Sequence, residues 1–158
     1  MKKMAPRLPL SKNFKLFSKA GRDLANLHLN YEDLDPYPLK NKNINKSENY
    51  NIHKMKFGKN SQGEDKSVII YNENIVLEGV PLEAYNYIIN GKSAIEWVME
   101  RYQIQIDKDS DIKNDPNEYC NENEDTKYIL NLLKKVISLS VQSVKIINSL
   151  PEIDEIIS

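Results

Sequence analysis

The stretch SVIIYNENIVLE (67–78) decides the fold class. Ser67–Tyr71 and Ile75–Glu78 are rich in β-branched residues that suit a pleated, half-buried surface, and Asn72–Asn74 is a connection short enough for a hairpin. Upstream, IHKMKF (52–57) alternates, with Ile52, Lys54 and Lys56 on one side and His53, Met55 and Phe57 on the other. It adds a third antiparallel strand that faces its lysines outward, and GKNSQGED (58–65) reads as a polar loop. Downstream the hydrophobic period changes from 2 to 3.6. Pro81 opens a short helix at 81–89, which Asn90-Gly91 stops because glycine takes the left-handed cap. Ser93 and Glu96 form a capping box for a helix at 94–103, with Ile95, Val98, Met99 and Tyr102 as its apolar stripe. The last helix runs from about Thr126 to Ser149, burying Ile129, Leu132, Leu133, Val136, Ile137, Val144 and Ile147, and Pro151 lies beyond its end. The expected class is α+β: a small antiparallel sheet of about three strands, packed with four to five helices, the C-terminal one long.

Toward the N-terminus, PRLPL (6–10) is extended and Ser11 caps a helix reaching about His28. Phe14, Phe17, Leu24 and Leu27 share one face of it, where Gly21 permits close packing. Residues 30–50 hold two prolines, many asparagines and few apolar anchors, and 40–50 reads as a mobile loop. Residues 107–125 are acidic and turn-rich, and 151–158 form a tail. One domain over residues 1–158 is the expectation, since 40% hydrophobic residues suffice for a core at this length. No apolar run approaches the ~18–20 residues of a membrane span. MKKMAPRLPL lacks an apolar export region, so a cytoplasmic location is expected. The lone Cys120 excludes an internal disulfide.

The net charge of −1 hides an asymmetry: residues 1–66 carry 14 Lys/Arg against 7 Asp/Glu, whereas 67–158 carry 8 against 16. Such a division fits one face for a polyanion and another for protein or solvent; an unevenly charged solvated surface is the plain alternative. Motifs for chemistry are weak. Asn90-Gly91-Lys92-Ser93 imitates the end of a phosphate-binding loop, but Asn86 stands where the first glycine is needed and a helix is expected to precede it. Asp35-Pro36-Tyr37-Pro38 scrambles the tetrapeptide by which amino-methyltransferases grip a flipped adenine. Asp107, Asp109, Asp111, Asp115 and Glu118 occupy calcium-loop spacings, but Ile112 replaces the required glycine, so a polar connection is the better reading. His28, His53 and Cys120 offer neither metal spacing nor a Cys–His dyad. Catalysis by this chain on its own is therefore not expected.

Several segments resemble the C-terminal region of Type ISP single-polypeptide restriction–modification enzymes: PRLPL (6–10), AGRDLANLHLNYE (20–32), KMKF (54–57), IIYNENIVLEGVP (69–81) and, above all, YNYIINGKSAIEWVMERYQIQIDKDSDIKNDPN (85–117). The final helix and Leu150-Pro151 also fit, while 40–50 and the tail do not. The departures are small: a glycine in the family pattern where Asp111 stands, and an aromatic or acidic pair at Glu118-Tyr119. The resemblance implies a non-catalytic target-recognition domain whose partners are duplex DNA and the methyltransferase and helicase-like domains of a parent enzyme. That parent would be a restriction endonuclease and adenine-N6 methyltransferase with ATPase activity. S-adenosylmethionine, ATP and Mg2+ would serve those other domains, with no cofactor or metal in this chain. The alternative is a structural or docking domain that contacts the methyltransferase core while DNA is read elsewhere.

Charge and loop position, rather than family residues, select the DNA-contact candidates. Lys40, Lys42, Asn43, Asn45 and Lys46 form one group, and Lys54, Lys56, Lys59, Asn60 and Gln62 the other. Lysines neutralise phosphates and fix register, while Asn and Gln amides can pair with adenine edges.

Overall fold

The computed structural model describes residues 12–44 and 48–152. Helix α1 (Phe14–Leu29) leads through a 3-10 turn (Tyr31–Asp33) to β1 (Lys40–Asn43). Then come β2 (Lys56–Asn60), β3 (Gly63–Ile70) and β4 (Ile75–Glu78), a second 3-10 turn (Leu82–Asn86), and the small hairpin β5 (Ile88–Ile89) and β6 (Lys92–Ser93). Helix α2 (Ala94–Arg101), the two-residue strands β7 (Gln105–Ile106) and β8 (Lys113–Asn114), α3 (Pro116–Glu122) and α4 (Tyr128–Asn148) complete the order. The class is α+β, as expected, with a long C-terminal helix.

The main sheet is antiparallel with order β1-β4-β3-β2, four strands rather than about three. The fourth comes from the segment expected to be a loop. Lys40–Asn43 pairs with Ile75–Glu78, because a polar KNKN strand is tolerated at a sheet edge where both faces meet water. The inner face of the sheet carries Ile69 and Leu77, both fully buried, and packs on Ile129, Leu133, Ile137 and Val141 of α4. Helix α4 buries one continuous side, but Ile147 is exposed, so the buried face ends a turn earlier than its periodicity predicts.

Three local expectations are corrected. The alternating stretch 52–57 is not one strand: Ile52 and Met55 are both buried, three residues apart, and pairing begins only at Lys56. The polar 58–65 stretch is instead the tip of the β2–β3 hairpin. The expected helix 81–89 is a 3-10 turn followed by β5, and Asn90-Gly91 is the two-residue turn of the β5–β6 hairpin. Both turn residues have positive φ, 50° and 86°, the requirement of a type I′ turn, for which Asn-Gly is the preferred dipeptide. Lys92 is ion-paired with Glu100 and lies over the Trp97 ring, which removes it from any phosphate-loop role. The capping box is present: Ser93 Oγ accepts from Glu96 N and the Glu96 carboxylate accepts from Ser93 N.

The acidic 107–125 region contains α3, which the turn-rich composition conceals. Asp115 caps it and Pro116 occupies its first position. Asp107 accepts from Ser110 within its own turn, and Asp111, at the family's glycine position, takes φ 54°. Among the described residues no group of three His, Cys, Asp or Glu side chains could hold a metal ion. In α1 only Ala20 is buried, Phe14 is exposed, and a Cβ on Gly21 would touch nothing within 4 Å, so that glycine serves no close packing. The Asp35–Tyr37 segment is strapped to α4, with Tyr37 N donating to Lys134 O and Ser138 Oγ to Asp35 O. Ser11, PRLPL (6–10), Asn45, Lys46 and 153–158 lie outside the described residues. No helix among the described residues is long and apolar enough to cross a membrane.

Candidate nucleic-acid interface

The approach to β2 has no regular structure, yet five successive carbonyls are held from outside it. Asn72 Nδ2 donates to Asn49 O (3.0 Å) and Asn51 O (2.9 Å), and the Tyr71 hydroxyl donates to Tyr50 O (3.0 Å). Asn117 reads Ile52 as a strand would: its Nδ2 donates to Ile52 O and its Oδ1 accepts from Ile52 N, both at 2.8 Å. Ile104 N donates to His53 O at 2.9 Å. Extended backbone whose successive carbonyls are all paired from other elements is held in place much as a strand is. This segment delivers Lys54 and Lys56 to the surface.

Beside it lies an open groove of about 650 Å³ lined by Asn49, Asn51, His53, Lys54, Lys56 and Ile70 among others. Lys54, Lys56 and Lys59 also border a second groove, of about 520 Å³, together with Glu64, Glu96 and Glu100. None of these three lysines makes an ion pair among the described residues. Lys66, by contrast, is consumed: its Nζ bonds Glu96 Oε1 at 2.9 Å and lies 5.3 Å from the centres of the Phe57 and Tyr85 rings. The Lys66 ammonium, aided by the Ser93 bonds, holds the Glu96 carboxyl down at about 2. That ion pair ties the β2–β3 hairpin to the start of α2.

The candidate residues fall on both edges of the sheet. Lys40, Lys42 and Asn43 lie on β1, and Lys56, Lys59 and Asn60 on β2. Register places Lys42 opposite Val76, Val76 opposite Ile70, and Ile70 opposite Lys56, so these four share the outer face in one row. Three strand intervals separate the two lysines by about 14 Å. Lys42 stands 4.0 Å from Glu78 and is partly offset by it. Asn60 is less available than its type implies: its Oδ1 accepts from Gln62 N at 2.8 Å. Its amide also bonds Asp65, whose carboxyl is lowered chiefly by Ser67. Composition gave no sign of Asn51 and His53, which border the groove, nor of the Asn72 and Asn117 bonds that shape it.

The model of the Type ISP C-terminal specificity domain matches residues 1–132. This chain belongs to that family. Among solved structures, the specificity domain resembles part of the ATP-dependent Type ISP restriction–modification enzyme LlaBIII bound to DNA, at 40% identity and TM-score 0.82, over 96% of this chain and 10% of that one. It also resembles a nuclease-deletion mutant of the Type ISP enzyme LlaGI in complex with a DNA substrate mimic, at 40% identity and TM-score 0.81, over 97% of this chain and 12% of that one. The DrdV–DNA complex matches at 26% identity and TM-score 0.76, over 94% and 15%. The specificity domain thus spans about a tenth of the length of the first two. No curated protein sequence matches it.

Proposed function

We propose that this specificity domain recognises duplex DNA and directs a larger restriction–modification enzyme to its target, where other domains methylate adenine and translocate and cleave DNA. The domain itself supplies binding rather than catalysis, and S-adenosylmethionine, ATP and Mg2+ act in those other domains. One observation carries the reading: Lys54, Lys56 and Lys59 are exposed and make no ion pair among the described residues, on a backbone pinned at the five preceding carbonyls. Fixed lysines lose little freedom when they meet phosphates, and each phosphate neutralised releases condensed counterions. The described structures with 40% identity being DNA complexes supports the same reading.

The test is duplex binding by the 158-residue chain across about 50–200 mM salt. Lys54→Ala, Lys56→Ala and Lys59→Ala should each weaken binding to all sequences and reduce the log–log salt slope by about 0.9. Unchanged slopes in all three would remove this segment from the interface. A docking role toward the methyltransferase and helicase-like domains draws on a different observation: Leu82, Ile88 and Ile112 are more than half exposed. A wild-type chain that binds no duplex at low salt would favour that role alone.

A further inference from the structure

Strand β3 pairs with β4 only over Val68–Ile70, yet it pairs with β2 out to Gly63. Gly58–Asn60 and Gly63–Asp65 therefore project past the sheet as a two-stranded ribbon about 10 Å long. A lone ribbon is marginal in water, and this one is braced at its root. Gly58 lies so close to Val68 that a Cβ there would come within 2.8 Å of the Val68 Cβ. Asp65 accepts from both the amide and the hydroxyl of Ser67, and Lys66 bonds Glu96. At the tip, the Asn60 side-chain Oδ1 accepts from Gln62 N, and Gly63 takes φ 123°, which residues with a side chain rarely adopt. The Gln62 side-chain amide is exposed and has no partner among the described residues. Lys59 stands behind it, with Glu64 opposite in register.

We infer that this ribbon is the base-reading element of the domain, entering the DNA major groove so that Gln62 pairs with an adenine edge while Lys54, Lys56 and Lys59 hold the flanking phosphates. The inference rests on the DNA reading above and deepens it. The dimensions agree: the major groove admits a two-stranded ribbon and is about 8.5 Å deep and about 12 Å wide. The chemistry agrees too, since a free glutamine amide donates to adenine N7 and accepts from N6. Asn60, the other amide at the tip, is committed to the turn and leaves Gln62 as the reader.

The experiment is selection of sites from a randomised duplex pool by the full chain and by Gln62→Ala, followed by affinity measurements on the enriched duplex. The expected result is loss of preference at one A·T pair, a factor of roughly 5–150, with the salt slope unchanged. Replacing that adenine by 7-deazaadenine, which lacks the N7 acceptor, should weaken the wild-type chain and leave Gln62→Ala unaffected. If both chains enrich the same site with equal stringency, the ribbon is not the reader and DNA recognition stands. If the wild-type chain enriches nothing, the DNA reading falls and takes this inference with it.

Discussion

Asn117→Ala tests how the lysine-bearing segment is held. Asn117 is buried in the first turn of α3, and its side chain makes three hydrogen bonds: one to each polar group of Ile52 and one, at 2.7 Å, to Asp115. Ile52 is itself only 2% exposed, so water cannot replace the lost partners without opening the core. Each stranded backbone group costs about 1–3 kcal/mol, and for the pair about 3–4 kcal/mol is a reasonable central value. For a domain this size, that corresponds to a fall in Tm of roughly 6–15 °C. The assay is thermal unfolding, with Asn121→Ala on the exposed side of the same helix as control, expected within about 0.5 kcal/mol of wild type. Amide exchange at Ile52 should rise in Asn117→Ala even well below Tm. A fall of less than about 2 °C, with Ile52 still protected, would refute the claim that Asn117 pins the segment.

Lys66→Ala should change the acid sensitivity of the fold. Because Lys66, with the Ser93 bonds, holds Glu96 down at about 2, the pair stabilises the native state fully above the unfolded value and loses that contribution as pH falls through the folded one. The stability gap between wild type and Lys66→Ala should thus be widest above about pH 5 and shrink toward pH 2; a gap independent of pH in urea titrations would assign the loss to the Phe57 and Tyr85 ring contacts instead. Gly58→Ala should destabilise by about 1–3 kcal/mol through collision with the Val68 Cβ, and Val68→Gly in the same chain, which removes that atom, should do away with the collision itself. Equal denaturant midpoints for Gly58→Ala and wild type would contradict that packing.

Long periodic signals transferred directly from sequence to structure. The 21-residue α4, the capping box at Ser93 and the Ile75–Glu78 strand stand where their spacing places them, because each is specified by neighbours in the chain. Two of the failures share a cause: the partner lay far away in sequence. KNKN becomes a strand only because β4 offers a free edge, some 35 residues on. Ile52 and Met55 are both buried because Asn117 and Ile104 hold the intervening backbone off a regular pleat, and no local alternation can encode that. Asn-Gly at 90–91 serves either as a helix stop or as a hairpin turn, and the pairing of Ile88 with Ser93 selects the second.

The candidate interface was legible in the same partial way. A positive first half drew attention to the stretch that carries its lysines, but charge counts treat every lysine alike. Lys59 and Lys66 are seven residues apart on one hairpin and identical in type. One is exposed and makes no ion pair among the described residues; the other is bonded to a carboxylate held at about 2 and lies against two rings. The same division separates the amides: both polar atoms of Asn72 and of Asn117 are engaged, Asn60 is engaged at the turn, and Gln62 has no side-chain partner among the described residues. The rigid polar groups fix where the free ones stand. Specificity needs both, because a base-reading amide discriminates only if its backbone cannot shift to satisfy the wrong base. The asparagine-rich composition of this chain is therefore informative less as a source of free amides than as the internal bonding that holds Gln62 and the exposed lysines in place.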